Sequence, residues 1–137
     1  MSISETAMAF FDACETGKGW NVCKAYCQDG AAFVCQADAL ADISTIEGYT
    51  GWTARILTPI PDGNYDITSF STDHERNIVT ATAIFSGKQT GEGGPVPATG
   101  KEIATNYAYV MEFEGGKIAR MTKIWNDGHS LKQLGWA

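Results

Sequence analysis

The sequence predicts an α+β domain, with helices laid on one face of a curved, mostly antiparallel sheet. Three observations predict it. Apolar residues recur at helical spacing in three segments ahead of Pro59, four long β-rich runs follow from Tyr65 onward, and turns or Gly-rich stretches join those runs into a meander. The 137 residues (1–137) make one domain's worth of chain, long enough to build a core without a disulfide or metal staple.

Ser2 with Glu5 forms a capping-box pattern, and Ile3, Ala7, Phe10, Phe11 and Cys14 share one stripe, so a first helix runs to Gly17. A second, short helix fits residues 19–28, with Trp20, Cys23 and Cys27 on one side and Asp29-Gly30 as its stop. Residues 31–36 are apolar and β-compatible, a first strand. Ser44 with Glu47 repeats the capping box. Ile46, Tyr49, Trp52, Ile56 and Leu57 then fit a third helix that Pro59 and Pro61 close. The later strands are residues 65–73, 77–89, 101–114 and 117–126. On the third of these, alternation sends Ile103, Thr105, Tyr107, Tyr109, Met111 and Phe113 to the helix side, and Glu102, Asn106, Val110 and Glu112 outward.

Ten Lys and Arg against sixteen Asp and Glu leave a net charge of −6, a surface that repels phosphate backbones, so no nucleic-acid partner is expected. No segment is long and apolar enough to span a membrane. The N-terminus carries acids and no basic stretch, which predicts a cytoplasmic protein with reduced thiols at Cys14, Cys23, Cys27 and Cys35. Cys23 and Cys27 are one helical turn apart and Cys35 follows, but no fourth ligand stands at zinc spacing, so no metal and no cofactor are expected. The Gly-rich stretch before Lys101 is not a phosphate loop: Pro95 holds the required glycine position and Glu102 follows the lysine. It reads as a loop at the rim of a pocket.

Two segments carry a resemblance to a known family. WNVCKAYCQDGAAFVCQ (20–36) is similar to a "short helix, Asp-Gly, first strand" pattern. PATGKEIATNYAYVMEFEGGKIARMTKIWNDGHSLKQLGW (97–136) resembles the C-terminal pattern of the SnoaL-like polyketide cyclase branch of the NTF2-like superfamily. The resemblance implies a conical α+β fold around one pocket, a fold shared by cyclases, isomerases, dehydratases and plain binding modules. It also implies pairing of two copies through the outer sheet face, where Asn106, Val110 and Thr122 point.

For steroid-isomerase chemistry the resemblance places the required tyrosine, base and second acid near Phe11, Cys35 and Tyr109. A thiol thus stands where the base belongs and Phe11 where the tyrosine does, which sets that reaction aside and leaves Tyr109 as a hydrogen-bond donor to a ligand carbonyl. For cyclase chemistry it implies an Asp after the last strand, which is Asp127, as general acid/base. As a competing role, Asn-Asp-Gly is a turn signal and Asp127 can cap a short final helix. His129 lies two residues on, His74 sits in a surface turn, and the 101–114 strand has no histidine. Trp20, Tyr26, Cys35, Trp52, Tyr107, Met111 and Trp125 are the candidate walls for a small hydrophobic or aromatic ligand. The expected function is therefore a small-molecule-binding protein, with cyclase- or isomerase-type chemistry on a carbonyl substrate. The rival is a non-catalytic ligand-binding or dimerisation module, favoured by a shortage of pocket carboxylates and histidines.

Overall fold

The computed structural model describes residues 1–137. Helix α1 (Ile3–Glu15) begins at the expected capping box: Ser2 Oγ accepts from the Glu5 N–H and Glu5 Oε1 from the Ser2 N–H, both at 3.1 Å. Ala7, Phe10, Phe11, Cys14 and Glu15 are buried.

The second helix is shorter than expected. Helix α2 (Trp20–Cys23) is one turn, followed by a 3₁₀ turn at Lys24–Tyr26. Cys27 and Gln28 already belong to strand β1 (Cys27–Cys35). Gly19 enters α2 with no side-chain cap, and so short a segment adds few backbone bonds to offset nucleation. Sheet pairing takes over instead: Cys27 pairs with Ile118, and Gln28 Nε2 donates to the Glu114 carbonyl at 2.7 Å. Asp29-Gly30, expected to stop a helix, lies inside β1 at an interruption in its register, with Gly30 at φ 68°.

Helix α3 (Ile46–Ile56) is capped by Thr45 instead of Ser44, through its Oγ1 on the Gly48 N–H at 3.1 Å. Strands β2 (Asn64–Asp73), β3 (Ile78–Lys88), β4 (Glu102–Glu114) and β5 (Lys117–Trp125) fall within a residue or so of expectation. They form the antiparallel meander. β1 joins it parallel to β5, giving the order β1-β5-β4-β3-β2. Register shifts in β2 against β3 and in β4 against β5 mark bulges, which bend strands and curve the sheet.

A fourth helix, α4 (Asp127–Leu134), adds to the three N-terminal ones and packs on β4, with Leu134 buried against Ile60 and Ile103. The main core lies between α1, α3 and the inner sheet face. Phe33 stacks on Tyr49 at 4.3 Å there, and Phe11 meets Tyr109 at 4.9 Å. The 89–100 loop is tied down: the buried Gln89 Oε1 accepts from the Thr99 N–H at 2.6 Å, and the Gly91 N–H donates to the Pro59 carbonyl at 3.0 Å. No helix is long and apolar enough to cross a membrane.

Candidate functional site

Where α4 stands off from α3 across the inner sheet face, a cavity of about 240 Å³ remains. The inward positions of β4 run along it as Ile103, Thr105 and Tyr107, a span of roughly 13 Å at strand rise. Strand β5 adds Lys123 and Trp125, α3 adds Trp52 and Ile56, and α1 reaches it with Glu15. Exposed Ala39 and Pro95 mark where it meets solvent, so the 89–100 loop does contribute to the rim. At the apolar end lies Trp136, whose indole N–H is buried without an acceptor.

The other end carries the polar groups. Tyr107 OH donates to Glu15 Oε2 at 2.8 Å, and Tyr109 OH donates to Oε1 of the same carboxylate. Tyr49 and Tyr109 share a hydrogen bond of 2.5 Å, and Lys123 Nζ donates to Tyr49 Oη at 2.9 Å. Each phenol has one proton. Tyr109 spends its proton on Glu15, so Tyr49 must donate to Tyr109 and accept from Lys123. The result is a one-directional chain, Lys123 to Tyr49 to Tyr109 to Glu15. The ammonium also sits 4.4 Å from the Trp125 ring centroid and 5.0–5.3 Å from those of Tyr49, Trp52 and Tyr107. Trp125 is itself held by its N–H on Ser130 Oγ at 2.9 Å and on Thr105 Oγ1 at 3.3 Å.

Burial disfavours both charges at the ends of this chain. It raises the Glu15 carboxyl above its ordinary range, against the pull of Lys123 and the two tyrosine donors. It lowers Lys123 to about 8, against the attraction of Glu15. The Tyr49, Tyr107 and Tyr109 phenols are pushed upward, first by burial and then by the Glu15 charge, so they stay protonated donors. A carboxyl and an amine whose charged forms burial disfavours, joined by hydroxyls and facing a cavity, are an arrangement able to pass a proton.

Of the residues expected from sequence, Trp52, Tyr107 and Trp125 line the cavity. Tyr109 stands behind it as the donor to Glu15. Trp20, Tyr26, Cys35 and Met111 are not among its walls. The first three pack against the main core, and Met111 is fully buried in that core one inward step past Tyr109. Asp127 also lies outside the lining. Its Oδ2 accepts from the Ala39 N–H at 2.9 Å and its Oδ1 from the Gly128 N–H at 3.0 Å, in the first turn of α4. The helix is capped by Asn126, whose side chain accepts from the His129 N–H. His129 meets Gln133 on the exposed side of α4, and His74 is exposed.

The expected shortage of pocket carboxylates is corrected by Glu15, and Lys123 was not anticipated. Both were readable in principle. Glu15 continues the Ala7, Phe11 stripe at four-residue spacing, and Lys123 alternates between Met121 and Trp125 on β5. A charge at such a position is the signal. The four cysteines are free, and no three His, Cys, Asp or Glu side chains gather.

The family model for SnoaL-like polyketide cyclases matches residues 5–134. Among solved structures, IdmH from Streptomyces antibioticus, described as a candidate polyketide cyclase, superimposes with a TM-score of 0.80 at 18% identity, covering 98% of this chain and 99% of that one. A candidate SnoaL-like polyketide cyclase from Jannaschia sp. CCS1 gives 0.78 at 16% identity, over 98% and 92%. A Catenulispora acidiphila protein with a ketosteroid isomerase-like fold gives 0.71 at 22%, over 97% and 94%. At these identities the likeness is one of fold. No curated protein sequence matches significantly.

Proposed function

Because the chain belongs to the SnoaL-like polyketide cyclase family, a small-molecule protein of cyclase or isomerase type, we propose that it performs acid/base chemistry on a carbonyl-bearing, flat or aromatic ligand. Glu15, not Asp127, moves the proton. The observation that carries this reading is the buried chain from Lys123 to Glu15 opening on an aromatic cavity.

The chemistry follows from the geometry. Lys123 uses one N–H on Tyr49 and keeps two for a ligand carbonyl oxygen between Trp52 and Trp125. Glu15 takes the α-proton, and the enolate oxygen that develops is stabilised by the ammonium in a site with little competing water. The enolate carbon then attacks a second carbonyl of the same folded chain, closing a ring, or is reprotonated in an isomerisation. Proximity in the cavity supplies much of the rate for closure. The Trp136 N–H, buried without an acceptor, suits a second ligand oxygen at the far end. Pairing of two copies through the outer sheet face, where Ile124 is 61% exposed, belongs to the same reading.

The test needs no knowledge of the natural substrate. 1-Tetralone incubated with the protein in deuterium oxide is expected to take up deuterium at its α-carbon faster than in buffer. Glu15→Gln is expected to cut the enzymic rate by on the order of 10²-fold. Quenching of tryptophan fluorescence by 1-tetralone with no exchange would replace this reading with the rival one, a non-catalytic binding module.

A further inference from the structure

Resting on the pocket reading above, we infer that Lys123 is a covalent site: its amine condenses with an aldehyde or ketone carbonyl in the cavity to form an imine. Lys123 is buried on the inner sheet face, in register between Cys35 of β1 and Tyr109 of β4, and no carboxylate lies within ion-pairing distance of it. All three ion pairs of the molecule are elsewhere, on the surface. A lysine kept only for charge pairing would touch its acid. This one is joined to Glu15 solely through Tyr49 and Tyr109, with four aromatic rings around its Nζ.

That arrangement lets the amine become a nucleophile without releasing a proton to solvent. One concerted shift along the chain moves a proton from Lys123 to Tyr49, from Tyr49 to Tyr109, and from Tyr109 to Glu15, leaving a neutral amine and a neutral acid. The nitrogen lone pair forms the C–N bond while the carbonyl π pair moves to oxygen. A nitrogen proton passes to that oxygen, giving the carbinolamine. Glu15 then returns its proton through Tyr109 and Tyr49 to the hydroxyl, which leaves as water, and the nitrogen lone pair forms the C=N bond. The balance is ammonium plus carbonyl giving iminium plus water, with Glu15 again a carboxylate. An iminium acidifies the adjacent C–H, so the covalent state serves the same proton transfer. The depressed pKa of about 8 supports a substantial neutral fraction. The titratable groups facing Lys123 are Glu15, Tyr49, Tyr107, Cys35 and Cys14.

The test uses the wild-type protein and acetylacetone, a small diketone that converts a neutral amine to an enaminone absorbing in the near ultraviolet. Near neutral pH we expect a single adduct, seen as that band and as a mass gain of the diketone less one water, mapped by peptide analysis to Lys123. Its rate should exceed that of an exposed lysine by on the order of 10²-fold. Lys123→Arg, which keeps the charge, should reduce labelling to that of the surface lysines. No band, or adducts spread over the exposed lysines, overturns the inference. The 1-tetralone exchange run on the same preparation separates the two readings: exchange without an adduct leaves the acid/base site standing, and loss of both removes both.

Discussion

If Lys123 is held as a desolvated ammonium, replacing it and its partner should make the protein more stable. The perturbation is the double variant Glu15→Gln/Lys123→Met. Glutamine still accepts from one tyrosine and donates to the other, and methionine keeps the unbranched stem against Trp125. A lysine lowered from 10.5 to about 8 on folding costs roughly 3 kcal/mol when charged. Cation–π contact with the four rings returns about 1 kcal/mol, so near pH 7 loss of the lysine charge alone should gain the variant about 2 kcal/mol, and removal of the buried Glu15 carboxylate adds to it. The sign with pH follows from linkage. The folded pKa of Lys123 lies below its unfolded one, so between about 8 and 10.5 this lysine binds more protons in the unfolded chain and its cost to the wild type is relieved as pH rises. By about pH 9.5 roughly half the lysine's cost is gone, and the variant's advantage should shrink by more than about 1 kcal/mol. The tyrosines and thiols that burial raises lose protons in that window only from the unfolded chain, which lowers the stability of both proteins alike and cancels in the gap between them. Urea unfolding of both proteins at the two pH values measures the gap. A double variant less stable than wild type, or an advantage that does not change with pH, would refute the account of Lys123 as a buried charge kept for function.

Two further outcomes are expected. Asp127→Asn should leave the 1-tetralone exchange rate within about twofold of wild type while losing about 0.5 kcal/mol in urea unfolding, since a negative charge leaves the first turn of α4; a collapse of exchange would return the acid/base role to Asp127. Gly91→Ala should cost about 1–3 kcal/mol, because a Cβ there runs into the Thr58 carbonyl and forces the rim loop off Pro59; thermal unfolding equal to wild type would show that the loop is not held there.

Most of the fold was legible in the sequence because its signals are local. The Ser2–Glu5 box, the helical stripes and the strict alternation of β4 depend on neighbours within a few residues, and the structure follows them closely. The local reading failed where long-range pairing outweighed it. Cys27 and Gln28 lie on helical spacing from Trp20, yet the edge of β5 offered backbone partners that a one-turn helix did not.

The site was only half legible, for a related reason. The aromatic walls Trp52, Tyr107 and Trp125 follow from periodicity alone. Glu15 and Lys123 each stand on an inward stripe, but they are 108 positions apart in sequence, and nothing local to either says that they meet. The sequence by itself determined the α+β order, the inward face of β4 and the family. Only the tertiary structure decided that the last residue of α1 and an inward residue of β5 meet across two tyrosines, and that Asp127 turns to Ala39 instead. Burial and mutual field are properties of folded space, set by which elements pack, so no window of sequence contains them.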